Sequence, residues 1–289
     1  MGATPHEQIA EARQMLIASG FSPADAAIDA EVLARHVLGW DRATLLVQGR
    51  ELASPDFSRQ FDALIARRAA REPVAFITGH REFWEREFEV TRDVLIPRPE
   101  TELIVEVVLA RAAAWRTLRI LDVGTGSGCL AVTLAAELPS AHVTASDLSA
   151  SALAVARRNA IRHGVQSHLS FVQGDLLDPI SGPLDIVVSN PPYVPAGAEL
   201  PVEVSGYEPK GALFGGVDGL DALRRLIAAA RDVLAPRGMF VVEFGFGQAG
   251  DVRALAEAAG WSRVDVRADL QGIPRVCVMR STDSNITEG

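Results

Sequence analysis

From Arg119 onward, short apolar runs alternate with amphipathic stretches, and this alternation narrows the possible folds more than any other feature. Strands are expected at 119–123 (RILDV), 142–146 (HVTAS), 169–172 (LSFV), 184–189 (LDIVVS) and 239–244 (MFVVEF). Helices fit at 128–138, 150–163, 220–235 and 248–259, where apolar residues recur at helical spacing. Mostly apolar strands separated by helices imply a mainly parallel sheet covered on both faces. Two further strands, 262–267 and 274–280, follow with no helix between them. Joined through Gly272-Ile273-Pro274, they are expected to pair antiparallel, giving seven strands with the last one reversed.

The region before this sheet reads differently. Residues 1–73 are helical in pattern. Ser22-Pro23 and Ser54-Pro55 each mark a helix start, because serine caps free N–H groups and proline at the first helical position loses no bond. Across 74–96 the period shifts toward two, with Phe83, Glu85, Glu87 and Glu89 set against Trp84, Arg86, Phe88 and Val90. That predicts a β-hairpin linker. Residues 97–280 form the α/β domain, opened by IPRPETE and a helix whose first turn holds Thr101 and Glu102. The polar stretch 281–289 reads as a disordered tail.

Composition removes several function classes. Against 37 acidic residues stand 28 basic ones, a formal charge of −9, which argues against a protein that coats nucleic acid. Lys210 is the only lysine, and no Gly-Lys-Ser/Thr sequence exists, so a Walker-type phosphate loop is excluded. Cys129 and Cys277 lie too far apart for a metal-ligand spacing. The start of the chain lacks the basic and apolar segments of a signal peptide, and no run is long and apolar enough to span a bilayer. A cytoplasmic protein without bound metal is expected.

The first strand runs into Gly124-Thr125-Gly126-Ser127-Gly128. Glycines permit a tight turn and let a ligand approach the backbone, and the next helix would turn its N-terminal N–H groups toward that ligand. The second strand ends at Asp147, nineteen residues after Gly128, where a carboxylate can accept bonds from two ribose hydroxyls. A nucleoside-containing cofactor is therefore expected at the carboxyl edge of the sheet. The spacing is G-x-G-x-G rather than the dinucleotide G-x-G-x-x-G, because Cys129 holds the third position. Asp175, after the third strand, is placed to meet an adenine amino group; a solvated turn aspartate is the alternative.

The fourth strand ends in Asn190-Pro191-Pro192-Tyr193. Prolines fix φ and donate no N–H, so this corner is stiff and its carbonyls are available. Asn190 adds a side-chain acceptor, and Tyr193 a flat apolar face. These parts suit methylation of a planar amino group. The lone pair of such a nitrogen is delocalised, and acceptors for its two N–H bonds stabilise the charge that develops on it as it attacks.

On the 124–128 loop and the 190–193 turn, the chain resembles the amino-methyltransferases. Ile96-Pro97-Arg98-Pro99-Glu100-Thr101-Glu102 and Gly79-His80-Arg81-Glu82-Phe83 narrow the resemblance to the peptide chain release factor glutamine methyltransferases, the PrmC/HemK family. So do Glu208-Pro209, the 215–220 segment GGVDGL, Glu243-Phe244-Gly245 with Gln248, and the 269–272 segment DLQG with Arg275. This resemblance implies a class I methyltransferase sheet preceded by the helical domain and hairpin. It implies methyl transfer from S-adenosylmethionine to the side-chain nitrogen of the glutamine in the Gly-Gly-Gln motif of class I release factors.

By the same resemblance, Gly124, Thr125, Gly126, Ser127, Gly128, Asp147, Asp175 and Leu176 bind the cofactor together with Asn190. Asn190, Pro191, Pro192 and Tyr193 hold the glutamine, and the helical domain contacts the release factor. Leu176 stands where some members of the family carry an aromatic residue. Arg98 and Glu100 either line the substrate channel or form an ion pair or cap at a helix start; Glu243 is either functional or structural. No stable nucleic-acid complex is expected, although a nucleobase amino group is the alternative substrate.

Overall fold

The computed structural model describes residues 3–112 and 117–280; the tail at 281–289 lies outside the described residues. The chain divides into two compact units. One is Met1–His80 with Leu200–Tyr207, and the other is Arg81–Glu199 with Glu208–Gly289.

The first unit is built from α1 (Pro5–Ala18), α2 (Pro23–Leu38), α3 (Arg42–Gln48), α4 (Pro55–Ala69) and the short α5 (Val74–Thr78). Ser22 and Ser54 cap α2 and α4 through the N–H groups of Asp25 and Phe57, and a proline follows each cap. Thr4 and Glu7 form a reciprocal capping box on α1, and Asp41 caps α3. Leu16, Leu33, Phe61 and Ile65 bury the helix faces together, with Phe57 stacked on Phe61. Buried Arg68 is satisfied by Asp29 at 2.6 Å and lies over the Phe21 ring. The segment Leu200–Tyr207 joins this unit through Arg71–Glu203 at 2.9 Å and through the Tyr207 hydroxyl, which donates to the Ala70 carbonyl at 2.7 Å. Sequence periodicity gives no hint of that insertion.

In the second unit, the hairpin is shorter than its alternating pattern suggests. Its strands are β1 (His80–Phe83) and β2 (Arg86–Glu89), whereas Val74–Thr78 is helical. The two-residue turn places Trp84 and Glu85 at φ 51° and 56°, the left-handed pair that tight hairpins require. Then come α6 (Glu102–Ala112), β3 (Arg119–Val123), α7 (Cys129–Glu137), β4 (His142–Asp147), α8 (Ala150–Arg162), β5 (Leu169–Gln173) and β6 (Leu184–Ser189). After them follow α9 (Asp221–Val233), β7 (Leu234–Glu243), α10 (Ala249–Ala258), β8 (Arg263–Ala268) and β9 (Pro274–Arg280).

The sheet order is β5-β4-β3-β6-β7-β9-β8. Pairs from β5 through β7 are parallel, and β9 runs antiparallel to both β7 and β8. This is the expected seven-stranded sheet with a reversed last strand. Alternation within the strands feeds two cores. Ile120, Val188 and Val241 pack under α6 and α7, while Leu121, Val187, Phe240 and Val242 pack with Leu223, Leu226 and Val252 of α9 and α10. One strand starts earlier than expected: β7 reaches back to Leu234 across Pro236-Arg237-Gly238. Arg237 sits at φ 67°, and the register against β6 jumps between Leu184 and Ile186. Proline and glycine read as breakers there, and the bulge absorbs them.

Fully buried Asn159 on α8 ties three segments together. Its side-chain carbonyl accepts from the Glu89 N–H at 2.8 Å, and its amide donates to the carbonyls of Glu89 at 3.0 Å and Ser127 at 2.8 Å. Asn159→Ala strands a buried donor and two acceptors. Urea titration should show a loss of about 2–4 kcal/mol of unfolding free energy. Unchanged stability would mean that these bonds are replaced.

Candidate active site

Strand register assembles the site. Val123 at the end of β3 pairs with Ser146 of β4 on one side and Ser189 of β6 on the other. The next residues, Gly124, Asp147 and Asn190, therefore leave the sheet side by side. β3 is also where the chain's direction of winding reverses, since its neighbours β4 and β6 lie on opposite sides. Such a switch point opens a crevice at the carboxyl edge of a parallel sheet.

Gly124, Gly126 and Gly128 adopt φ of 71°, 54° and 81°. A side chain would strain each of them. Their reasons for being glycine then differ. A Cβ at Gly124 or Gly126 would meet open space, whereas one at Gly128 would stand 3.0 Å from the Ala156 Cβ, so Gly128 lets α7 approach α8. Three N–H groups of the loop are taken by the neighbouring strand end. Gly124 and Thr125 both donate to the Ser146 carbonyl at 2.9 Å, and Gly126 donates to the Asp147 carboxylate at 2.9 Å. The Ala131 N–H, in the first turn of α7, goes to Asp122. The loop is thus pinned to the end of β4.

A cavity of about 510 Å³ lies over this edge, within the range of small-molecule sites. Gly124, Thr125, Gly126, Ser127, Asp147, Asp175, Leu176, Asn190 and Pro192 line it. Gly128, Pro191 and Tyr193 are not part of its lining. Asp147 also receives the Ser149 N–H at 2.9 Å, and burial raises its pKa. Each Asp147 oxygen keeps a second lone pair.

Asp122, which sequence reading passed over, lines the same cavity. One of its oxygens accepts from Thr125 at 2.6 Å and from Ala131 at 3.1 Å; the other, Oδ1, is buried with no hydrogen-bond partner. Burial pushes its carboxyl up to about 7. An acceptor without a donor in a cavity wall suits a ligand that brings a donor. A charged residue inside the otherwise apolar run Ile120–Val123 was the available signal.

The 190–193 turn is braced from behind. The Asn190 side-chain amide donates to Thr101 Oγ1 at 2.9 Å, Thr101 donates to Glu243 Oε2 at 2.7 Å, and the Tyr193 hydroxyl donates to Glu243 Oε1 at 3.0 Å. Glu243 is 1% exposed, and burial pushes its carboxyl up to about 7 against the lowering effect of the two hydroxyls. Gln248 accepts from the Gly245 N–H at 2.8 Å and donates to the Tyr193 carbonyl at 3.1 Å. Gly219, at φ 79°, leaves no room for a Cβ, which would lie 2.3 Å from the Tyr193 carbonyl oxygen. The GGVDGL segment and the segment holding Gly245 and Gln248 are thus fitted to the backbone of this turn.

Arg98 lines the cavity and pairs with buried Glu208 at 2.5 Å, and Glu208 also accepts the Ile96 N–H at 3.0 Å. The ion pair weighed for Arg98 is thus present, and its partner lies on a distant segment rather than at the helix start. Glu100 falls in the 3₁₀ turn Pro99–Thr101 before α6. Asp175 is held by Arg225 at 2.8 Å, and Leu176 adopts φ 48°, a left-handed conformation unusual for leucine. Among the described residues, no group of His, Cys, Asp and Glu is arranged to hold a metal, and no helix is long and apolar enough to cross a membrane.

Comparison with known proteins bears on the family and the fold. Residues 7–79 match the PrmC N-terminal domain family, and residues 99–203 match the methyltransferase small domain family. The release factor glutamine methyltransferase of Cereibacter sphaeroides is 45% identical over 89% of this chain and 91% of its own. That of Burkholderia pseudomallei is 45% identical over 88% and 91%. That of Rhodospirillum rubrum is 42% identical over 87% and 78%. Among solved structures, a methyltransferase from Pyrococcus furiosus aligns with a TM-score of 0.52 at 18% identity, over 76% of this chain and 98% of that one. The hMettl16 catalytic domain in complex with MAT2A 3'UTR hairpin 1 aligns at 0.55 and 15%, over 76% and 83%. At such identities the likeness speaks for the fold alone.

The geometry generates one binding prediction. Asp147→Ala should weaken S-adenosylmethionine binding about 10–100-fold in calorimetry, the loss expected for hydrogen bonds to a charged group. Unchanged affinity would remove Asp147 from the cofactor site.

Proposed function

The chain belongs to the release factor glutamine methyltransferases, and from that premise we propose how its residues carry the reaction. The enzyme is an S-adenosylmethionine-dependent methyltransferase. Its substrate is the glutamine of the Gly-Gly-Gln motif in class I release factors. The observation that carries this reading is the sharing of one cavity wall: Asn190 and Pro192 line the same space as the glycine loop and Asp147.

Gly124, Thr125, Gly126, Ser127, Asp147, Asp175 and Leu176 hold the cofactor, with the orphan oxygen of Asp122 as a further acceptor. Gly128 supports the loop from outside the cavity. Bound there, S-adenosylmethionine supplies a methyl group on a sulfonium, whose departure as a neutral thioether needs no acid. The side chains have two remaining tasks: to make an amide nitrogen a better nucleophile, and to let the methylated nitrogen release one N–H proton, by way of a hydrogen-bond acceptor, to water. The Asn190 Oδ1 and the Pro191 carbonyl each accept one N–H of the substrate amide. Both acceptors hold the nitrogen in place and stabilise the positive charge that develops on it as its lone pair leaves the carbonyl and attacks the methyl group. Because proline donates no N–H, no competing donor crowds the corner. Pro192 and Tyr193 make the corner rigid, so these acceptors need little reorganisation during the reaction.

The helical residues 1–73 are assigned to recognising the release factor away from the reacting amide. The acidic balance of the chain fits a protein substrate better than a nucleic-acid one. A cytoplasmic setting, where release factors work, belongs to the same reading.

The test uses labelled S-adenosylmethionine with a class I release factor, its Gln→Ala variant in the Gly-Gly-Gln motif, and DNA or RNA. Label should appear only on the unaltered factor; label on nucleic acid alone would refute the assignment. Asn190→Ala should lower kcat about 10²–10³-fold, as loss of a preorganised polar group does, while cofactor affinity stays near the original. A parallel loss of cofactor binding would show that Asn190 serves the cofactor instead.

A further inference from the structure

We propose that Glu243 and Thr101 are positioning residues for the methyl transfer: together they set which end of the Asn190 amide faces the substrate. The inference deepens the function proposed above and rests on it for its kinetic readout.

An ionised carboxylate only accepts. Glu243 therefore takes the hydroxyl proton of Thr101 at 2.7 Å and that of Tyr193 at 3.0 Å. With its proton engaged by Glu243, Thr101 Oγ1 presents lone pairs alone to Asn190, 2.9 Å away. Only the NH₂ end of Asn190 can meet it. If the amide were flipped, Oδ1 would face an oxygen with no proton between them. Oδ1 is therefore left for the cavity side, where Asn190 is part of the wall. Amide ends are nearly indistinguishable by shape, so this polarity has to come from a network. Here it originates in one carboxylate.

The same chain of bonds selects for substrate. An acceptor facing the cavity welcomes a glutamine NH₂ and repels a glutamate carboxylate. It also depends on the charge state of Glu243. A protonated Glu243 must donate, and the hydroxyl of Thr101 is the nearest acceptor. Thr101 is then free to turn its own proton toward Asn190, which favours the flipped amide and brings NH₂ against NH₂ in the site. The other charges acting on Glu243 are Glu100, which favours the protonated form, and Arg275, which favours the ionised one. Arg275 is itself held by Asp269 at 3.1 Å. Burial leaves the carboxyl at about 7. The productive polarity is thus complete above that pH and is lost as pH falls through it.

The experiment compares Thr101→Val, Thr101→Ser and Glu243→Gln with the original enzyme, using a class I release factor at saturating S-adenosylmethionine. Thr101→Val should lower kcat about 10–100-fold, the size of effect expected from a misplaced reacting geometry. Cofactor affinity by calorimetry should stay within about two-fold, and Thr101→Ser should restore most of kcat, which a merely structural defect would not do. The original enzyme should lose kcat on the acid side of about 7. Glu243→Gln should be slower throughout and lack that acid limb.

A second arm needs no substrate. The Asn190 side-chain NH₂ protons, assigned by their loss in Asn190→Ala, should be protected from exchange in NMR spectra of the original and Thr101→Ser proteins and exposed in Thr101→Val. Equal kcat in Thr101→Val, an acid limb that persists in Glu243→Gln, or unprotected NH₂ protons in the original protein would each overturn the inference. An enzyme silent on every release factor would instead count against the proposed function, leaving the NMR arm to judge Asn190.

Discussion

Everything at the site follows from how three parallel strands end together. β3 lies between β4 and β6 in register, with Val123 opposite Ser146 and Ser189. Parallel strands point the same way, so their three carboxyl ends fall on one edge, and the reversal of winding at β3 keeps any crossover helix from covering the space between them. The glycine loop, Asp147 and Asn190 lie one residue beyond that register. A slip of one residue in either pair would turn alternate side chains to the opposite face and separate the three. The two packed cores hold the register, and the chemistry depends on it.

The edge is also where the fold accepts cost. Asp122 and Glu243 are carboxyls taken out of water near the carboxyl ends of β3 and β7, next to buried apolar residues, and both are pushed up to about 7. A core built for stability would place hydrophobic residues there. Leu176, held left-handed at the cavity wall, adds backbone strain. Asp122 and Leu176 line the cavity and Glu243 stands behind its Asn190 wall, an arrangement suited to a site that binds and orients. The price in stability is carried by the apolar faces on either side of the sheet.

The sequence made the sheet legible because its strands are buried and its helices amphipathic: 119–123, 184–189 and 274–280 coincide with β3, β6 and β9. The Ser-Pro helix starts at 22–23 and 54–55 were readable because capping is local chemistry. Features that depend on distant partners were not. Thr101 meets Asn190 across 89 residues and Glu243 across 142, and no periodicity encodes such pairs. Gly128 reads like its two neighbours in the loop, yet its contact with Ala156 makes it a packing residue. Leu200–Tyr207 follows the 190–193 turn in sequence but folds with the helices of the other unit. The early start of β7 was hidden by Pro236 and Gly238, which a bulge accommodates.

The central claim is that Asn190 presents an oxygen to a planar amide beside the cofactor. Neutron diffraction from the enzyme with S-adenosylhomocysteine and a Gly-Gly-Gln peptide tests it most directly, because it locates amide protons. The account predicts the glutamine NH₂ donating to Asn190 Oδ1 and the Pro191 carbonyl, with its nitrogen turned toward the sulfur. A map with the Asn190 nitrogen facing the peptide, or with the glutamine bound away from this corner, would contradict it.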